Sequence, residues 1–122
     1  MGRIYYNKLI RDKIPEIIKG KGSDFETREL SDKEFEAELL KKIGEESAEV
    51  VSATTREEVI REIADVVDVI EEVKEFKQIS EDEIENARKS MFEKKSGFKK
   101  RLFLLWSSDD GYEAEKSKKA SK

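Results

Sequence analysis

Four acids stand where amphipathic helices would place apolar side chains. Leu39, Ile43, Val50 and Ala53 recur at helical spacing; Glu46 falls inside their stripe, and Glu49 projects from the same side three residues further on. In a second periodic segment Glu62 lies between Val59 and Val66, and Asp65 again follows by three. A carboxylate buried alone is driven towards its neutral form or costs several kcal/mol. Two Glu-x-x-acid pairs on facing helices allow another outcome, in which the carboxylates converge and a hard divalent cation offsets their repulsion. Acids three apart are common in a Glu-rich chain, so spacing alone equally admits a surface role, with these groups reaching solvent and pairing with Lys42, Arg61 or Lys74.

The elements that would position these acids announce their starts. Ser31-x-x-Glu34, Thr55-x-x-Glu58 and Ser80-x-x-Glu83 each match the capping box. They open predicted helices over about 32–53, 56–77 and 81–95, the last closed by Gly97. Val59, Ile63, Val66, Ile70 and Val73 form the stripe of the second. Its β-branched residues compete for strand, but its length, its capping box and the absence of Gly and Pro decide for helix. Asp12-Lys13-Ile14-Pro15 opens a short helix that ends near Gly20. Alternation at Phe25, Thr27 and Glu29, and the apolar run from Arg101 to Trp106, read as short strands that allow a small two-stranded ribbon. The expected architecture is all-α: a helical bundle of two long antiparallel helices with shorter ones, in one domain over residues 1–106. From Ser107 the composition turns to Ser, Lys, Asp and Glu, and a disordered polar tail is expected over 107–122.

Composition removes whole classes of chemistry. The 122 residues include no His and no Cys, so there is no imidazole base, no Ser-His triad, no thiol nucleophile and no thiolate metal site. What chemistry occurs must come from carboxylates, amines, guanidinium groups and hydroxyls. The net charge of −4 disfavours nucleic acid as a partner, yet the charge is unevenly placed. Residues 45–75 carry eleven acids against three bases, and residues 88–101 seven bases against one acid. An acidic middle between basic segments suits a divalent cation beside a phosphate ligand; it also suits ordinary solvated helix faces. No apolar run approaches bilayer length, the first residues lack the apolar core of a signal peptide, and a cytoplasmic location is expected.

Glu45-Glu46-Ser47-Ala48-Glu49, followed by Glu62-Ile63-Ala64-Asp65, resembles the EExxE…ExxD signature of the all-α nucleoside triphosphate pyrophosphatases. That superfamily includes the MazG-like proteins, dimeric dUTPases and phosphoribosyl-ATP pyrophosphohydrolases. The opening, Tyr6-Asn7-Lys8-Leu9-Ile10-Arg11-Asp12-Lys13-Ile14-Pro15-Glu16, resembles a MazG-like, phosphoribosyl-ATP pyrophosphohydrolase-like subgroup, as does Gly97-Phe98-Lys99-Lys100-Arg101-Leu102 near the end. The resemblance implies Mg²⁺-dependent (or Mn²⁺-dependent) hydrolysis of an α–β phosphoanhydride of a nucleoside triphosphate to monophosphate and pyrophosphate. By position it makes Glu46, Glu49, Glu62 and Asp65 the metal ligands. With no His, the base must be a carboxylate, and Glu45 and Asp68 are the adjacent candidates. Lys8, Arg11, Lys13, Lys95, Lys99 and Arg101 then become candidates for holding substrate phosphates.

The His-containing stretch found after ExxD in the histidine-biosynthetic phosphoribosyl-ATP enzymes is replaced here by Val66-Val67-Asp68-Val69, which counts against phosphoribosyl-ATP as substrate; the resemblance to the superfamily implies a house-cleaning role on nucleoside triphosphates. Two long helices and a shorter one cannot surround the acidic faces alone, so completion of the bundle as a homodimer or dimer of dimers is expected. The rival class is a non-catalytic helical protein whose basic segments bind nucleic acid.

Overall fold

The computed structural model describes residues 2–108; most of the expected polar tail, from residue 109 onwards, lies outside them. Four helices follow in order: α1 (Ile14–Gly20), α2 (Asp32–Ser52), α3 (Arg56–Lys77) and α4 (Glu81–Lys95). The all-α class and each predicted helix are therefore present.

The caps explain where the helices start. At α2 the Glu34 amide donates to Ser31 Oγ at 3.3 Å, and the Ser31 amide donates back to Glu34 Oε1 at 3.1 Å. The same reciprocal pair joins Ser80 and Glu83 ahead of α4. At α3 the Glu58 amide donates to Thr55 Oγ1, but the Glu58 carboxylate accepts from Thr54 rather than Thr55, one residue further out. Gln78 ends α3 in the left-handed conformation (φ 57°), and the Ile79 amide donates to the Lys74 carbonyl at 2.8 Å. The residue that turns the chain after α4 is Ser96 (φ 65°), not the expected Gly97.

Glu34 also takes both terminal nitrogens of Arg28, at 2.7 and 3.2 Å. That pair, with the Ser31 amide, holds the carboxylate at about 2, well below its usual 4.5. A depressed folded-state value stabilises the fold above the unfolded value, and that stabilisation is lost as pH falls from about 4.5 towards 2. Glu34→Gln keeps a capping residue but removes the charge. It is expected to melt a few degrees below the parent at neutral pH, with the two melting curves converging as pH approaches 2. A constant difference across that range would contradict the assignment.

The described residues divide into two units, the first ending at Ile84 and the second beginning at Glu85. In the first, α2 and α3 pack as an antiparallel hairpin joined by residues 53–55. At its open end Phe35 and Phe76 meet edge to face, with centroids 5.5 Å apart, and Lys77 pairs with Glu36. Leu39, 3% exposed, is the one buried apolar residue among the described residues. Lys74 is buried as well, with its amine 2.9 Å from Glu71 and 2.5 Å from Glu81, tying α3 to the start of α4. These bonds, that to Glu81 foremost, raise its pKa.

Two expectations need correction. Among the described residues there are no strands: residues 23–30 and 101–107 run without ladder partners, so the ribbon is absent. The α3 stripe also divides. Val59, Val66 and Val73 are half-buried in the seam with α2, whereas Ile63 and Ile70 join Ile60 and Val67 on an exposed apolar face. Positions 62 and 63 differ by a hundred-degree rotation, and the seam passes through Glu62 rather than Ile63. On α2, Ala37, Leu40, Gly44, Ala48 and Val51 form a second exposed stripe. In the second unit Phe98 and Leu102 to Trp106 are exposed. No helix is long and apolar enough to cross a membrane among the described residues.

Candidate metal centre

The seam that buries Leu39 continues into acids. Glu46 from α2 and Glu62 and Asp65 from α3 bring carboxylate oxygens within 4.8 Å of one another. Helical spacing puts Glu62 and Asp65 on one face, and the antiparallel register sets that face opposite Glu46. Glu46 and Glu62 keep only 17% and 18% of their side-chain surface, and Asp65 32%. Burial first, then the charges of Asp65 and Glu49, push the Glu62 pKa up; Arg61 opposes the shift and Glu46 adds a smaller push. The donors are all hard oxygens crowded together, which is the donor set that suits Mg²⁺.

Glu49, the fourth expected ligand, is exposed and stands outside that trio. Its charge is nevertheless felt at Glu62, and both line a small cleft of about 80 Å³ with Ser52, Ala53, Glu58 and Arg61. Of the two candidate bases, Glu45 is half-buried beside the Lys42 amine (3.8 Å), and Asp68 lies one turn beyond Asp65. Lys42 also approaches Glu46 at 3.6 Å, and Arg61 approaches Glu62 at 3.9 Å. The surface-role alternative is thus right about these two pairings, but Lys74 serves the α3–α4 corner instead.

The cationic candidates separate. The Arg11 side chain reaches across to α3, its Nη2 2.8 Å from Asp65 and 2.9 Å from Asp68, and these bonds, Asp68 first, raise its pKa. Lys8 is exposed, with its amine over the Tyr6 ring at 5.6 Å. Lys13 occupies the N-cap position of α1 without a side-chain cap bond. Lys95, Lys99 and Arg101 belong to the second unit; Lys95 closes α4, and Arg101 adopts a left-handed backbone (φ 58°). Sequence reasoning missed the Arg11 contacts with Asp65 and Asp68. The signal available was the i, i+3 spacing of the two acids, which presents a paired anionic face.

An uncharacterized protein of Mycolicibacterium smegmatis is 46% identical over 50 residues, covering 41% of this chain and about half of that relative's length. No solved structure matches. The family model described as phosphoribosyl-ATP pyrophosphohydrolase matches residues 6–70, which span Arg11, the hairpin turn and every acid of the cluster. With just over half its length matched, the chain belongs to the phosphoribosyl-ATP pyrophosphohydrolase family, within the all-α nucleoside triphosphate pyrophosphatase (MazG-like) superfamily.

Proposed function

We propose that this protein is a Mg²⁺-dependent nucleotide pyrophosphohydrolase, cleaving the α–β phosphoanhydride of a nucleoside triphosphate or related nucleotide to monophosphate and pyrophosphate. The observation that carries this reading is the convergence of Glu46, Glu62 and Asp65 across the α2–α3 seam. Family membership supports pyrophosphohydrolase chemistry in the same residues.

In this reading Glu46, Glu62 and Asp65 hold Mg²⁺, and Glu49 joins them from the adjoining cleft. Mn²⁺ would serve the same ligands. When bound, the ion supplies charge neutralisation at the phosphates and a more acidic water. The attacking water reaches the α-phosphorus, and a carboxylate, Glu45 or Asp68, takes its proton as pyrophosphate departs. Lys8, Arg11 and Lys13 contribute phosphate contacts. The exposed apolar faces of α2 and α3 support a homodimer or dimer of dimers that completes the helical bundle.

The test is a panel of standard and modified nucleoside triphosphates together with phosphoribosyl-ATP, assayed for pyrophosphate with and without Mg²⁺. Turnover of one or more triphosphates, dependent on Mg²⁺, is the expected result. Turnover of phosphoribosyl-ATP alone would move the protein to histidine biosynthesis, and no turnover of any member would overturn the enzyme reading.

A further inference from the structure

The position of Arg11 says more than that it is a cation near the site. Its Nη2 donates to Asp65 Oδ1 at 2.8 Å and lies 2.9 Å from Asp68 Oδ2. Asp65 is also one of the three side chains whose oxygens converge. On the opposite flank the Lys42 amine lies 3.6 Å from Glu46. The cluster therefore carries cations of its own on both sides, and Arg11 occupies an acid on which the proposed metal site depends.

We propose that Arg11 is an internal counter-ion for Asp65 that yields its place to a divalent cation and turns to the phosphates bound with it, so that metal and substrate bind cooperatively. The proposal rests on the metal-dependent reading above and adds a coupling residue to it. A guanidinium within hydrogen-bond distance of a ligand carboxylate repels a second cation brought to the same group. The Arg11 side chain is 59% exposed and sits on an irregular segment three residues ahead of Ile14, the start of α1. Asp68, one turn along α3, gives it a hold when Asp65 is taken. A polyphosphate offers the planar, doubly acceptor face that guanidinium matches best. Arg11 thus opposes metal alone and favours metal with phosphate, which is a coupling between two ligands.

Calorimetry on the full chain separates this role from a structural one, using Mn²⁺ alone and then inorganic pyrophosphate at saturating Mg²⁺. In Arg11→Gln, Mn²⁺ binding is expected to tighten about threefold or more, while pyrophosphate binding weakens about tenfold. Arg11→Lys keeps the charge without the fork, so Mn²⁺ affinity stays near the parent value and pyrophosphate binding recovers in part. A residue that merely pinned the N-terminal segment to α3 would weaken both ligands when removed. Mn²⁺ binding that is unchanged or weaker in Arg11→Gln overturns the counter-ion role, and undiminished pyrophosphate binding overturns the coupling. A parent protein that takes up no Mn²⁺ overturns the metal-dependent reading itself, and this proposal with it.

Discussion

Replacing Glu62 by Gln is expected to lower kcat/KM for pyrophosphate release by at least about a hundredfold while raising the melting temperature of the metal-free protein by a few degrees. The two effects have one origin. Glu62 is a mostly buried carboxylate facing Glu46 and Asp65, with Glu49 nearby. Without a cation, burial and these like charges disfavour its ionised form. The amide has nearly the same shape, lacks the charge, and relieves the repulsion; it also removes a ligand that a hard cation needs. An activity site held together against its own electrostatics gains stability when its function is removed. Thermal melts and steady-state kinetics on the same preparation test the pair. Full activity in Glu62→Gln would sink the ligand assignment, and a lower melting temperature would contradict the strained-cluster account.

The second large effect concerns assembly. Ile60, Ile63, Val67 and Ile70 line one exposed face of α3, and Leu40 and Val51 stand exposed on α2. With Leu39 the one buried apolar residue among those described, the hairpin has little interior of its own. Ile60→Asp or Val67→Asp meets no neighbour across the seam in the single chain, yet introduces a charge that an apolar contact between copies would have to desolvate. Each is expected to weaken self-association by about a hundredfold or more. Analytical ultracentrifugation over a concentration series should show the parent as a dimer or tetramer and the variants shifted to monomer. Because Glu62 lies beside this face, loss of activity should accompany dissociation. A monomeric parent, or variants that assemble unchanged, would contradict the role given to these stripes.

The parts of the fold that were readable from sequence are those decided locally. Ser31, Thr55 and Ser80 mark helix starts because a hydroxyl and a carboxylate three residues on satisfy backbone donors wherever the rest of the chain lies. The meeting of Glu46 with Glu62 and Asp65 was legible because each already interrupts an apolar stripe, and a short turn fixes the register of the two helices. Elsewhere local pattern was not enough. Residues 25–29 alternate and residues 101–106 are strongly apolar, but a strand needs a partner, and neither segment has one here. Ile63 and Ile70 share helical spacing with the seam residues because an Ile- and Val-rich helix carries two apolar stripes at compatible spacing, and only the packing of α2 chooses between them. The spacing of Asp65 and Asp68 offers a paired anionic face, but which cation meets it depends on the path of an irregular segment back to α3.

Anomalous diffraction from crystals of the protein soaked in Mn²⁺ would locate the metal directly. The expected result is a peak between α2 and α3, bonded to carboxylate oxygens of Glu46, Glu62 and Asp65, at about the 2.0–2.1 Å that Mg²⁺ sites show or slightly longer. A peak bonded to other residues, or no peak at a concentration that supports turnover, would contradict it.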